Sequence, residues 1–282
     1  MSIQSKNLLK AFVRVVLGMT LFVVLSTASL YIYGRLEARW LVVENVTIPL
    51  KNLDQSLDGF TIVQMSDLHM DQNMPKEFIQ EAVRISNQLN PDLVVLTGDY
   101  VTGSADWIMD LTPILAGLKA RLGVYAILGN HDVWTDATKI RLALEDVGIP
   151  VLINSSVILG NDNEAIYLAG LDDGWAGTPD LEQALRGLTM DIPVIVLIHE
   201  PYLAEDIAQD ERVSLQLAGH THGGHIRLFG LSKILAPIRD RKYDHGLFRI
   251  KDSWLYVNRG IGGIEVRINC RPEITKLTLV RE

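Results

Sequence analysis

Five short, largely apolar runs, each followed within a few positions by Asp, Asn or His, constrain this chain more than any other feature of its sequence. The run 62–65 leads to Asp67 and His69, 93–96 to Asp99, 124–128 to Asn130 and His131, 194–198 to His199, and 215–218 to His220 and His222. Three of them (93–96, 124–128 and 194–198) are too short for helices, rich in β-branched residues, and read as strands buried on both faces. Helical stripes lie between. Phe78, Ile79, Ala82, Val83, Ile85 and Leu89 share one face of a helix expected to open at Pro75. Ala137, Ile140, Leu144 and Val147 share another, which stops at Gly148. Past Gly219 the helical spacing disappears, and HIRLF, GLFRI, WLYVN, EVRIN and ITKLTLV alternate as antiparallel strands would. The pattern predicts a layered α/β domain with two sheets inside and helices outside.

In open α/β sheets ligands bind beyond the carboxyl ends of the strands, so five ends equipped in this way are expected to converge on one site. Taken singly, each residue has an ordinary account: Asp and Asn favour turns, and a lone His is usually a satisfied polar group. Turn chemistry does not explain five strands that all stop on metal-ligating or acid-base side chains.

Charge narrows the partners. A formal net charge of −8 and a pI near 5.4 leave no general basic face for neutralising phosphates, so nucleic acid is not an expected partner. A single cysteine, Cys270, excludes an internal disulfide and a thiolate zinc cluster, and it reads as inert packing.

Residues 15–32, VVLGMTLFVVLSTASLYI, carry no charge and would span about 27 Å as a helix, close to the roughly 30 Å hydrocarbon core of a bilayer. Tyr31 and Tyr33 fall where an interfacial aromatic belt would lie. A buried core helix and a signal peptide cleaved at Ser26-Thr27-Ala28 are competing readings. The apolar run continues past that small-residue site, which favours an uncleaved single-pass anchor. Lys6, Lys10 and Arg14 precede the span, whereas Arg35 and Arg39 follow it with Glu37 between them. That bias leans towards a cytoplasmic N-terminus and an extracytoplasmic remainder. Residues 34–41 would then be a linker reaching about 25 Å when extended. The expected organisation is an anchor and short linker over 1–39, followed by one domain over 40–282.

Read together, DLH (67–69), GDY (98–100), GNHD (129–132), the His of IHEP (His199) and GHTH (219–222) closely resemble the calcineurin-like metallophosphoesterases in order and spacing. The likeness extends from about Trp40 to the end, through WLVVENVTIPL, GHTHGG and PEITKLTL, and is nearest to a membrane-tethered, bacterial phosphodiesterase-like branch. The resemblance implies an α/β/β/α sandwich of two mixed sheets flanked by helices. It also implies two divalent metal ions, one held by Asp67, His69, Asp99 and His222 and the other by Asp99, Asn130, His199 and His220, with Asp99 bridging. Oxygen and imidazole donors suit Mn, Fe, Zn or Co without choosing among them. Two divalent ions with only two carboxylates would keep a net charge of about +2, which attracts a phosphate.

The same resemblance implies hydrolysis of phosphodiester or pyrophosphate bonds by a metal-activated hydroxide. His131 would then be no ligand, but would stabilise the transition state or protonate the leaving oxygen. Asp132 would either orient His131 or cap a helix. Thr102 stands where the protein serine/threonine phosphatases of the family carry a second aspartate, which disfavours phosphoprotein substrates. The tethered branch suggests a lipid-linked or nucleotide phosphate ester and a bacterial inner-membrane location. A UDP-2,3-diacylglucosamine pyrophosphatase of lipid A synthesis is one alternative, in tension with an external domain because that nucleotide lipid is made inside. A non-catalytic, membrane-tethered metal-binding scaffold is another; a missing ligand would mark it, and every motif is intact.

Other residues have weaker claims. His225, following GHTHGG, is either a contact to substrate or metal or an ordinary strand residue, and the latter is favoured. Asp172 and Asp173 read first as turn formers. Arg239, Arg241 and Lys242 form a small basic cluster, more simply a solvated loop than a phosphate site. Arg259, ahead of GIGG, could approach the site.

Overall fold

A strand that is apolar throughout needs cover on both faces, and a computed structural model, describing residues 3–160, 165–228 and 242–282, accounts for that cover. One sheet has the order β1 (Val42–Leu50), β11 (Glu273–Arg281), β2 (Thr61–Met65), β3 (Leu93–Thr97) and β4 (Val124–Ile127). The second has the order β5 (Ser155–Leu159), β6 (Ile166–Gly170), β7 (Val194–Leu197), β8 (Val213–Ala218), β10 (Ser253–Val257) and β9 (Gly246–Ile250). Both sheets are mixed. Strands β2, β3 and β4 run parallel, and β11 opposes β2. Strands β6, β7, β8 and β10 run parallel, with β5 and β9 antiparallel at the two edges.

Alternation along β2 illustrates the layering. Ile62 points between the sheets, joining Leu93, Val95 and Leu277 against Leu168, Ile195, Leu197 and Leu215. Val63 points the other way, joining Val94 and Leu96 under α2 (Lys76–Gln88), α3 (Ile108–Leu115) and α4 (Asn130–Asp146). The far face of the second sheet, including Val194 and Val196, is covered by the short α5 (Leu181–Ala184) and α6 (Ala204–Ile207). Each fully buried Leu, Ile or Val contributes about 1.5–3 kcal/mol relative to exposure, so the two-sided burial holds the helices to the sheets. The result is the α/β/β/α order expected. Among the polar contacts that cross the interior, the Gln64 side chain of β2 donates to Thr97 Oγ1 at 3.1 Å and to the Ala218 carbonyl at the end of β8 at 2.9 Å. It ties together the carboxyl ends of the two sheets.

Three expectations about local structure are corrected. The late strands are not a uniformly antiparallel set, because β10 lies parallel to β8 and β11 parallel to β1. Segments 225–228 and 265–269 are not strands and meet only through a bridge between Ile226 and Ile268. The second apolar stripe stands as read: α4 is kinked at the non-helical Asp136, whose carboxylate accepts the Lys139 N–H at 3.0 Å ahead of the stripe, and a shorter first segment begins at Asn130, where Asp132 accepts the Gly129 N–H at 3.0 Å.

The third correction concerns the N-terminus. Helix α1 (Ile3–Glu37) is long and apolar enough to cross a membrane by length and composition, and none of its apolar window is buried. Its 35 residues extend about 52 Å. No extended linker follows. The helix runs through Glu37, and both Gly34 and Glu37 are buried. The Gly34 carbonyl accepts the Arg267 N–H at 3.0 Å, and Glu37 Oε1 accepts the Cys270 N–H at 2.7 Å. Glycine permits this approach, since a Cβ at position 34 would stand 2.6 Å from Val266 Cγ1.

Candidate metal centre

The five parallel strands β2, β3, β4, β7 and β8 deliver their carboxyl ends to one place, as the topology requires. Immediately beyond them the backbone turns sharply, with φ of 52° at Asp67, 49° at His69, 57° at Asp99, 69° at His220 and 51° at His222. Positive φ in a residue with a side chain costs about 1–3 kcal/mol and persists where the surroundings enforce it. Asp and His tolerate this region better than most residues, so the types that could ligate a cation are also those the turns accept. Gly129 is required by crowding instead. A Cβ there would lie 2.4 Å from Asp99 Oδ1 and 2.7 Å from His199 Cε1.

Two compact clusters result, Asp67 with His69 and His222, and Asp99 with His199 and His220, and a third grouping of His69, Asp99 and His131 spans them; within each, one donor atom per residue lies within 4.8 Å of the others. His69 Nε2 is 3.0 Å from His222 Nε2, and His222 Nε2 is 3.3 Å from Asp67 Oδ1. Asp99 faces both clusters. Its Oδ2 is 3.5 Å from His69 Nε2 and 3.2 Å from His199 Nε2. Asn130 and His131 line the same cavity of 340 Å³, together with Trp134, Trp175 and Ile264. All eight positions singled out in the sequence are therefore brought together. His131 differs from the others in being only partly buried.

The donor chemistry fits divalent cations. Buried polar atoms are normally paired, yet Asn130 Oδ1 is buried without a hydrogen bond, and His199 Nε2 faces the Asp99 carboxylate at 3.2 Å. The His199 Nδ1–H donates to the Thr97 carbonyl at 2.7 Å, which turns Nε2 towards Asp99 and the cluster. Burial pushes His69 down to about 4 and His220 to about 3, keeping both imidazoles neutral with lone pairs to offer. Burial likewise holds His222 well below the usual range. His199 goes the other way: burial disfavours its charge, but the adjacent Asp99 carboxylate outweighs that and raises it well above. Asp99 is correspondingly held below its usual range, against the effect of burial. A cation between them would take the place of that proton.

Several contacts were not legible beforehand. Thr102 Oγ1 lies 2.7 Å from His69 Nδ1, so the ring can donate there and turn Nε2 towards the cluster. Asp132 does not touch the His131 side chain. Its carboxylate accepts the N–H groups of Asp99 and Tyr100 at 2.8 Å each, binding the Gly-Asp turn to the cap of α4. Asp172 and Asp173 are turn formers as read, but Asp173 thereby sets Trp175, whose N–H it accepts at 3.0 Å, and the Trp175 ring meets His220 at 4.5 Å. Trp134 lies one helical turn after Asn130 and packs on His131 at 5.2 Å; the spacing would have revealed it had the start of α4 been known. His225 is no strand residue, because it stacks on His222 at 4.4 Å with φ of 55°. Arg259 does not reach the cavity, since Glu273 and Glu44 hold its guanidinium. Lys242 pairs with Glu205, while Arg239 and Arg241 lie outside the described residues.

Thr102→Val should weaken divalent-cation binding by about 10–100-fold, the usual effect of removing the partner of a ligating imidazole. A manganese titration checks this, and unchanged affinity would mean that the hydroxyl does not orient His69.

Known proteins are similar to this chain over most of its length. Residues 60–224 match the family described as calcineurin-like phosphoesterase. A transmembrane protein with metallophosphoesterase domain from Danio rerio is 36% identical over 276 residues, covering 92% of this chain and 62% of that protein. This chain thus spans less than two thirds of that relative. Phosphodiesterase YaeI of Escherichia coli is 33% identical over 226 residues, covering 78% of this chain and 82% of the other. The uncharacterized metallophosphoesterase YkuE of Bacillus subtilis is 34% identical over 262 residues, covering 90% and 91%.

Proposed function

This chain belongs to the calcineurin-like phosphoesterase family, and on that basis we propose that it is a membrane-anchored, two-metal hydrolase of phosphodiester or pyrophosphate bonds in a lipid-linked substrate. One observation carries the reading: the cluster of Asp67, His69 and His222 and that of Asp99, His199 and His220 meet at Asp99, whose Oδ2 is 3.5 Å from His69 Nε2. Asp67, His69, Asp99 and His222 would hold one divalent ion, and Asp99, Asn130, His199 and His220 the other. Such ions supply activation of water and neutralisation of phosphoryl charge. The chain's own residues do the rest. His131 presents its ring at the open side of the cavity, where it can give a proton to the leaving oxygen, and its N–H donates to Asp99 Oδ1 at 2.9 Å. Asp132 keeps the Gly-Asp turn rigid, and Thr102 and the Thr97 carbonyl set the rings of His69 and His199.

The rim supports an amphiphilic substrate. Trp134 is 56% exposed, Ile264 52% and Trp175 38%, an apolar collar around a polar floor. Ile264 and Gly263 also line a groove with Ala38 and Arg39, the residues that directly follow α1. With α1 in a bilayer, the cavity mouth would therefore sit beside the headgroup layer. The charge bias about α1 favours the extracytoplasmic side of a bacterial inner membrane.

Purified full-length protein loaded with manganese should hydrolyse bis(p-nitrophenyl) phosphate and, faster, a phosphodiester lipid in mixed micelles, with both activities lost to a chelator. Faster turnover of a phosphopeptide would overturn the substrate class. A reporter at the C-terminus reads the topology, and cytoplasmic signal would reverse the proposed side.

A further inference from the structure

Two routes lead from the last turn of α1 to His222. The Gly34 carbonyl holds the Arg267 N–H at 3.0 Å. The Arg267 guanidinium, 1% exposed, donates to four backbone carbonyls: Arg259 at 2.9 Å, Cys270 at 3.3 Å, Gly260 at 3.1 Å and Gly262 at 2.6 Å. The loop so gathered presses on the imidazole of His222. A Cβ at Gly260 would stand 3.1 Å from His222 Nδ1, and one at Gly263 2.8 Å from it. Arg267 Nη2 itself lies 3.5 Å from that nitrogen, a charge that opposes protonation of the ring. The second route is shorter: Glu37 Oε1 accepts the Cys270 N–H at 2.7 Å, and Cys270 Sγ donates to the His222 carbonyl at 3.1 Å.

We infer that the last turn of α1 is a positioning element of the metal centre, fixing His222 through Arg267 and Cys270, so that the membrane helix is part of the site and not merely a tether. Arg267 is a positioning residue in this arrangement. Its planar fork serves several carbonyls at once, which an ammonium on a flexible stem does not reproduce. The inference rests on the two-ion reading above and adds to it that occupancy at Asp67, His69 and His222 depends on the helix, whereas occupancy at Asp99, His199 and His220 does not.

The test uses the full chain in detergent micelles. Gly34→Leu adds bulk at the contact without weakening the helix, because Leu is the better helix former. Gly18→Leu makes the same change where nothing lies within 4 Å. Glu37→Ala removes an acceptor without adding bulk, and so decides the matter if Gly34→Leu fails to fold. Three quantities are read: amide exchange over residues 259–270, manganese affinity and stoichiometry by equilibrium dialysis, and kcat and KM on bis(p-nitrophenyl) phosphate, a soluble diester that needs no bilayer. Gly34→Leu, Glu37→Ala and Arg267→Met are expected to speed exchange and to weaken one of two manganese equivalents by about 10–100-fold. Their kcat should recover at saturating manganese. Arg267→Lys should fall between these and the unaltered chain, and Gly18→Leu should match the latter. Unchanged exchange and affinity in folded Gly34→Leu or Glu37→Ala would overturn the inference, even with Arg267→Met impaired. Failure of the unaltered chain to bind manganese would instead remove the two-ion reading.

Discussion

Asp99→Asn is expected to lower diester hydrolysis by at least about a thousandfold, roughly 4 kcal/mol of transition-state stabilisation. The reason is position. Among the described residues, Asp99 Oδ2 is the carboxylate oxygen that faces both clusters, 3.5 Å from His69 Nε2 and 3.2 Å from His199 Nε2. Its other oxygen is already committed to the His131 N–H at 2.9 Å. Asparagine preserves shape and can keep one of these contacts, but it removes the negative charge that would offset two cations held close together. The remaining carboxylate, Asp67, lies in the first cluster alone. Metal analysis should accordingly find at most one ion per chain. A variant retaining two ions and more than a tenth of its activity would mean that Oδ2 does not bridge.

His131→Ala is expected to lower kcat by about 100- to 10,000-fold while leaving metal content at two ions per chain. The ring of His131 stacks edge-on to His69 at 4.8 Å and lies beside Trp134, at the open side of the cavity. Its nitrogen can also be grouped with donor atoms of His69 and Asp99 within 4.8 Å. Geometry therefore admits a ligand role as well as a proton-transfer role, and the two differ in outcome. Loss of one ion from His131→Ala would make it a ligand. Loss of rate with both ions retained makes it the group that serves the leaving oxygen. The backbone N–H to Asp99 survives the substitution, so a collapse of the Gly-Asp turn does not confuse the result.

The convergence of the candidate side chains was legible in the sequence where chemistry is local. A strand followed by Asp-x-His, Gly-Asp, Gly-Asn-His or Gly-His-x-His carries its donors at the point where the chain must turn, and positive φ at five of those residues suits the Asp and His side chains found there. The parallel order of the central strands then brings separate ends together without further information. Contacts made across the fold were different. Thr102 appeared only as the absence of an aspartate, because its partner His69 lies 33 residues away. Asp132 looked equally suited to holding His131 or capping α4, and the distinction rests on which N–H groups the folded chain aims at it.

Length, apolar spacing and the residues at strand ends were enough to specify an α/β layering, a long apolar N-terminal helix and the eight polar side chains that meet beyond the strand ends, since each depends on neighbours within a few positions. Folding alone settled the direction of β10 and β11, the aromatic collar of Trp134 and Trp175, and the docking of Gly34 and Glu37 onto residues 266–270. Those features arise from atoms separated by tens to hundreds of residues, whose encounter is selected by close packing and by the need of buried polar groups for partners, and neither leaves a periodic trace along the chain.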